Sequence, residues 1–150
     1  RIRKSYDYAF QAPEGLHRGA LPQLQIHSIG LLPLDILGCE IQPVRLHHGP
    51  HFQVLGFRFG NVAYCTDTNA IPPESMKKLH DLDVLILDCL RREPHATHFS
   101  LTEALAVANE LSPKKTYLTH ISHDLEQEAI SRDLPRGVEI AYDGLVLPLS

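Results

Sequence analysis

The chain has 150 residues, of which 43% are hydrophobic and 21% are charged, so it is long enough to bury the core of one domain. Its formal net charge of −4 excludes the positive surface of a general nucleic-acid-binding protein, so local groups would have to hold a phosphate-bearing substrate. No apolar run is long enough to cross a bilayer, and no signal-peptide pattern follows Arg1.

The cysteine content indicates a cellular compartment. Cys39, Cys65 and Cys89 are an odd number without the spacing of a metal site, and they predict buried free thiols. Free thiols persist in a reducing environment, so we expect a cytoplasmic protein with no membrane partner.

Short apolar runs separated by turns predict a series of strands from residue 24 onward, after a mixed segment at 1–22 that we expect to be irregular. The predicted strands are residues 24–29, 40–46, 53–59, 62–66, 84–88, 116–119, 138–141 and 145–147. The pair Gly60-Asn61 between two of these strands is typical of a tight hairpin.

Three helices are predicted, at residues 72–80, 100–111 and 126–132. The second has the strongest signal, because Ser100 and Glu103 form a capping box and apolar residues then recur on one face. Strands that first form hairpins and then alternate with helices predict an α/β fold. In such a fold, apolar strands such as 84–88 are expected to be covered on both faces.

Polar side chains follow several predicted strands. His48, Asp67 and His120 each lie just past the end of a strand, where the loops of layered α/β folds converge to form sites. Imidazole and carboxylate groups are the ligands expected for zinc, manganese or iron. Each residue also has a simpler explanation, since a lone histidine is commonly solvated and an aspartate between two threonines readily forms a turn. The residues alone leave both interpretations open.

Four segments of the sequence together resemble the C-terminal half of metallo-β-lactamase-superfamily hydrolases, with the PhnP-type cyclic phosphodiesterases as the nearest branch. The segments are PVRLHHG with VLGFRFGNVAYCTDTNAIP, LDVLILDCLRREPHATHFSLTEAL, KKTYLTHISHDL and LPRGVEIAYDGLVL, which lie between Pro43 and Leu149. The most specific pieces are Tyr-x-Thr-Asp-Thr at 64–68 and Leu-Thr-His-Ile-Ser-His at 118–123. The resemblance implies that residues 1–150 are the C-terminal portion of a single αββα sandwich domain.

The resemblance also implies roles for individual residues. His48, Asp67 and His120 match metal ligands, with Asp67 as the bridge between two divalent ions, either zinc or manganese and alternatively iron. His98 matches an active-site histidine that is not a metal ligand. We expect it to protonate the leaving oxygen, because its position before the capped helix 100–111 would fix its imidazole. His123 matches a histidine that contacts substrate.

Neighbouring residues leave alternatives for two of these roles. His47 and His51 flank His48, which we prefer because a glycine follows it directly as in the family motif. His95 shares the local surroundings of the proposed acid His98 and is the second choice. Asp88, at the end of a strand, either orients a neighbouring group or simply caps the strand.

One family signature is absent from these residues. The motif His-x-His-x-Asp-His, which supplies further metal ligands, occurs nowhere between Arg1 and Ser150. We therefore expect Arg1 to be an internal residue of a longer protein, and these 150 residues alone to be poorly stable and without efficient catalysis.

The predicted function is metal-dependent hydrolysis of small or cyclic phosphodiesters by a hydroxide held between two metal ions. Three alternatives stay open: another hydrolase of the same fold (lactonase, thioesterase or tRNA-processing nuclease), a catalytically incompetent interaction module, and a half-domain completed by another chain. The acidic chain argues against the nuclease and other nucleic-acid partners. A homodimer is compatible with the sequence.

Overall fold

A computed structural model of the chain describes residues 1–11, 19, 21–125 and 130–147. The chain divides into two compact units, Arg1–Gly30 and Leu31–Ser150. The first unit contains a short helix, α1 (Ile2–Ser5), and a 3-10 turn (Asp7–Ala9), neither of which was predicted, and the rest of its described residues are irregular. No strand forms at residues 24–29, so that prediction is wrong. The alternation of apolar residues there matches a strand, but a strand also needs a partner for its backbone groups.

The second unit is built on one seven-stranded sheet whose strands lie side by side in chain order. The strands are β1 (Leu34–Ile36), β2 (Cys39–His48), β3 (Phe52–Phe59), β4 (Val62–Cys65), β5 (Val84–Asp88), β6 (Lys115–Thr119) and β7 (Val138–Ile140). The first four pair antiparallel, and β4 to β7 pair parallel. The predicted hairpin at Gly60-Asn61 is confirmed by the pairing of Phe59 with Val62.

Strand direction brings four strand ends to one edge of the sheet. Two antiparallel steps restore direction, so β2 runs the same way as β4, and β5 and β6 are parallel to β4. The connections from β4 to β5 and from β5 to β6 contain the helices α2 (Pro73–Met76) and α3 (Leu101–Leu111). This arrangement confirms the predicted α/β class, and the segments after β2, β4, β5 and β6 emerge together.

The hydrophobic core lies on one face of the sheet. Leu85, Leu87 and Leu118 are fully buried there, together with Ala104 and Leu111 of α3. The other face is less covered: the row of cross-strand neighbours formed by Phe57, Tyr64, Ile86 and Tyr117 includes Tyr64 at 41% exposure. The prediction that β5 is covered on both faces therefore fails within the described residues, where Val84 and Ile86 are only half-buried.

Helix α3 begins where the capping box predicts. The Ser100 backbone N–H donates to Glu103 Oε2 at 2.8 Å, and the Glu103 N–H donates to Ser100 Oγ at 3.4 Å. Two N–H groups that the helix cannot satisfy internally are thereby paired. The cap holds the start of α3 directly after the loop that carries His98.

Replacing Ser100 by alanine is expected to lower the free energy of unfolding by about 1 kcal/mol, because the Glu103 N–H loses its side-chain acceptor. The measurement is urea unfolding of the protein at its natural length. Thr102→Ala, at an exposed position inside the same helix, is the matched control and should cost less. Equal costs for the two variants would contradict the capping role.

Several other predicted elements differ from the structure. Helix α2 ends at Met76 instead of 80, because tighter three-residue turns from Ser75 and Met76 follow and bring Leu79 into the core. No strand forms at 145–147, where the described backbone is irregular, whereas strand β1 was not predicted. The predicted helix at 126–132 falls largely on residues 126–129, which lie outside the described residues.

The cysteines follow the prediction in two cases of three. Cys65 and Cys89 are buried free thiols, and burial raises the pKa of each to about 12. Cys39, at the start of β2, is exposed, so the prediction that it is buried is wrong. Among the described residues, no helix is long and apolar enough to span a membrane.

Candidate metal centre

Four potential ligand-bearing side chains meet at the edge of the sheet where β2, β4, β5 and β6 end. Asp67 follows β4, Asp88 ends β5, His98 lies in the loop before α3, and His120 follows β6. One ligand atom from each of these residues lies within 4.8 Å of every other. The two exposed side chains of this group are in contact. Asp67 Oδ1 lies 3.1 Å from His120 Nε2, and the two side chains are 53% and 39% exposed, respectively. This pair is open to solvent and to ligands.

The backbone at Asp67 and His120 is in the left-handed region. Their φ angles are 57° and 63°, values that residues other than glycine adopt infrequently, although aspartate and histidine tolerate them better than most. Such conformations cost free energy and concentrate at functional sites, where surrounding structure enforces them. The two turns point an imidazole and a carboxylate at the same space.

Asp88 is fully buried and holds two neighbours with one oxygen. Its Oδ2 accepts from the Thr68 N–H at 3.0 Å and from His98 Nδ1 at 2.9 Å. Since the carboxylate accepts, Nδ1 of His98 carries a proton, and Nε2 is the ring nitrogen left to act elsewhere. Both predicted roles are present in this geometry, because Asp88 ends its strand and also orients the adjacent loops.

His48 lies beside this group with its ring orientation defined by a backbone contact. Its Nδ1 is 3.0 Å from the carbonyl oxygen of Thr97, which can only accept, so Nδ1 donates and Nε2 keeps its lone pair. The ring is 4.8 Å from that of His98, which in turn stacks on His120 at 4.6 Å. His48 is therefore adjacent to the group of four, with one nitrogen suited to a metal ion.

The remaining predicted histidines are placed differently. The side chain of His123 is 95% exposed and its Nε2 lies 3.5 Å from Asp124, outside the cluster, so its substrate contact stays a prediction. The ring of His95 is 5.3 Å from that of His98. Partial desolvation, followed by the charge of Arg91, lowers the pKa of His95.

The donor set fits a divalent first-row metal ion. Imidazole nitrogens and carboxylate oxygens are the ligands that zinc, manganese and iron accept. The buried Oδ1 of Asp88 has no hydrogen-bond partner among the described residues, although buried carboxylate oxygens are normally satisfied. Asp67, His98 and His120, with the buried Asp88, are the side chains that the structure brings together where a metal ion could bind, and His48 lies beside His98.

Replacing Asp88 by alanine is expected to lower the free energy of unfolding by about 1–3 kcal/mol, because the buried Thr68 N–H loses its acceptor. The measurement is again urea unfolding. Asp88→Asn keeps an acceptor oxygen and is expected to cost less than the alanine variant. An alanine variant as stable as the parent protein would contradict the structural part of the role of Asp88.

Comparisons with known proteins identify the family and the fold of the chain. The family model described as "Beta-lactamase superfamily domain" matches residues 1–121. A solved diphosphatase from the PhnP family is 38% identical, with a TM-score of 0.84, over 96% of this chain and 52% of that one. The metallo-β-lactamase fold protein YhfI from Bacillus subtilis is 20% identical, with a TM-score of 0.68, over 83% and 54% of the two chains.

A curated protein also matches. An octanoyltransferase from Porphyromonas gingivalis is 29% identical over 117 residues, which are 76% of this chain and 23% of that protein. The chain thus spans about half the length of the two solved structures and about a quarter of this relative.

Proposed function

The chain belongs to the β-lactamase superfamily domain family, and we propose that the protein is a metal-dependent hydrolase that cleaves small or cyclic phosphodiesters. The observation that carries the proposal is the buried Asp88–His98 pair directly beside the exposed Asp67–His120 pair. A proton donor held next to candidate ligands is the arrangement that metal-assisted hydrolysis needs. The 38% identity to a PhnP-family diphosphatase supports a phosphorus-containing substrate.

His48, Asp67 and His120 are the proposed ligands of two divalent ions. When bound, such ions lower the pKa of water and polarise a phosphoryl oxygen. Three side chains are fewer than two ions require, so in the proposed enzyme other residues supply the rest of the coordination. These ligands suit zinc, manganese and iron. The availability of each metal therefore decides which ion binds as much as the ligands do.

His98 is the proposed proton donor to the leaving oxygen. Asp88 accepts from its Nδ1, so the ring is held with Nε2 directed away from the carboxylate and available to a substrate. His98 is only 9% exposed, so little water would compete with the leaving oxygen for a proton carried on Nε2. A histidine suits this role because its ordinary pKa of about 6.5 is close to neutral pH.

The test of this function is a substrate panel. The protein at its natural length, loaded with zinc or manganese, is assayed on small linear and cyclic phosphodiesters, diphosphates, lactones and acyl thioesters. We expect kcat/KM for a phosphorus ester to exceed the values for lactones and thioesters by at least about tenfold, which is about 1.4 kcal/mol of transition-state stabilisation. Preferred hydrolysis of a carbon ester would contradict the proposal.

A second candidate function is hydrolysis of acyl thioesters. The match to an octanoyltransferase, whose name denotes acyl transfer, favours an acyl substrate, although the matched segment is only 23% of that protein. An octanoyl thioester in the same panel separates the two candidates. A well-folded natural protein that binds no metal would argue instead for an interaction module.

A further inference from the structure

Asn69 lies where three loops of the candidate site meet. Its Oδ1 accepts from the Gly49 N–H at 2.8 Å, and its Nδ2 donates to the Ala96 carbonyl at 3.1 Å. Gly49 follows the proposed ligand His48, and Ala96 precedes the proposed acid His98 by two residues. Resting on the proposed function, we propose that Asn69 is a positioning residue that sets the distance between the metal ligand and the proton donor.

A second contact runs between the same two loops, beside the first. His48 Nδ1 donates to the Thr97 carbonyl at 3.0 Å, one residue along from the Ala96 carbonyl that Asn69 holds. The loops also touch, because a Cβ added at Gly49 would lie 2.8 Å from Thr97 Cγ2. Two adjacent hydrogen bonds resist rotation of one loop against the other better than one bond does. Removing the Asn69 contact leaves the His48–Thr97 hydrogen bond as the described contact between the His48–Gly49 segment and the loop before His98.

The backbone that carries Asn69 is held on both sides. Its N–H donates to the His47 carbonyl at 3.0 Å, and the His47 N–H donates to the Ala70 carbonyl at 2.9 Å. Next to it, the Thr68 carbonyl accepts from the Phe99 N–H at 2.9 Å. The asparagine therefore projects from a fixed base, so its side chain can define the position of the loops it contacts.

Only an amide satisfies both contacts. The Gly49 N–H can only donate and the Ala96 carbonyl can only accept, so the two partners assign Oδ1 and Nδ2 unambiguously. Aspartate keeps the acceptor for Gly49 but turns an oxygen towards the Ala96 carbonyl, which breaks the link to the loop of His98. Alanine removes both links. Comparing the two substitutions therefore separates the effect of the contact to Gly49 from the effect of the contact to Ala96, in the loop that carries His98.

The test compares two substrates of the natural-length, metal-loaded protein. An alkyl diester needs protonation of its leaving alkoxide, whereas a p-nitrophenyl diester releases a stable anion and needs it less. For Asn69→Asp we expect kcat on the alkyl diester to fall roughly 10–100-fold, since misplacement of about 1 Å can cost about 100-fold, with the metal content unchanged. The fall on the p-nitrophenyl diester should stay below about threefold, because the acid is less needed there.

The matched control is Asn61→Ala. Asn61 also joins two loops, through Nδ2 to Asp83 Oδ2 at 2.5 Å, but it precedes β4 and lies at the opposite end of that strand from Asn69. If Asn69 had a purely structural role, Asn69→Asp would lower kcat on the alkyl and the p-nitrophenyl diester by the same factor. Asn61→Ala is expected to show that pattern. Equal losses on the two diesters for Asn69→Asp, or no loss, would overturn the proposal.

Amide hydrogen exchange does not depend on catalytic turnover, so it tests the role of Asn69 separately from the proposed function. Amide hydrogen exchange at Gly49 should speed up in Asn69→Ala, which removes its acceptor, and should stay slow in Asn69→Asp, which keeps it. If the parent protein hydrolyses no diester, the proposed function fails, and exchange at Gly49 still tests the contact. Unchanged exchange in Asn69→Ala would refute the role of Asn69 whatever the activity.

Discussion

Asp67→Asn is expected to release the bound metal ions and to abolish hydrolysis. Asparagine adopts the left-handed backbone as readily as aspartate does, so the turn at φ 57° is retained, while the negative charge is lost and one carboxylate oxygen becomes an NH2 group that cannot bind a cation. That charge faces His120 at 3.1 Å and is the exposed carboxylate of the cluster. The loss of metal affinity should exceed the roughly 10–100-fold typical of residues that only support a ligand. Metal content after dialysis and turnover on a diester are the two measurements.

Asp81 provides the control for this experiment. It is an exposed aspartate with a φ of 56°, in the turn before β5 and therefore at the opposite edge of the sheet. Asp81→Asn makes the same chemical change in the same backbone conformation, and it should leave both the metal content and the turnover unchanged. If Asp67→Asn behaves like Asp81→Asn, Asp67 is only a turn former and the proposed metal site is wrong.

His98→Asn is expected to reduce kcat by about 10²–10⁴-fold while leaving the metal bound, because the variant lacks the proposed proton donor to the leaving group. The asparagine amide can still donate to Asp88, so the buried carboxylate keeps a partner and the fold is spared the cost of an unpaired charge. The decrease should be largest for substrates with poor leaving groups. Turnover on alkyl and p-nitrophenyl diesters, with metal analysis of each preparation, measures it.

His95→Ala is the matched control for the acid. The ring of His95 lies 5.3 Å from that of His98 in the same loop. The sequence offered His95 as the second choice for the acid. We expect its kcat to change by less than about tenfold, since His95 lacks the buried carboxylate partner that orients His98. A larger loss for His95→Ala than for His98→Asn would exchange the two roles.

The local elements of this chain were predictable, because their signals are short-range. The capping box of Ser100 and Glu103 placed the start of α3, and the Gly60-Asn61 pair placed the hairpin between β3 and β4. Both rest on hydrogen bonds between residues no more than a few positions apart. The predicted strand at 24–29 does not form, because a strand needs a pairing partner as well as a local pattern. Its alternation was correct locally, but strand formation depends on a neighbour that no local pattern reveals.

The sequence named several side chains of the candidate site but not the contacts between them. His48, Asp67 and His120 were named from their positions after strands and from resemblance to a family, and the structure brings Asp67 and His120 into contact and places His48 beside His98. The sequence gives only a weak signal for the hydrogen bond between Asp88 and His98: an acidic residue at the end of an apolar strand. Asn69 left none, because its two partners are 20 and 27 residues away.

The sequence by itself determined six of the seven strands of the sheet, where α3 begins and which side chains are chemically suited to bind metal, since propensity, periodicity and ligand chemistry belong to the residues themselves. Only the tertiary structure decided that β2 runs in the same direction as β4, β5 and β6, so that their ends share one edge. It also decided that Asp88 is buried against His98 and that Asn69 joins two loops. These contacts depend on strand order and direction, which arise from the packing of the whole sheet and leave no trace in any short segment.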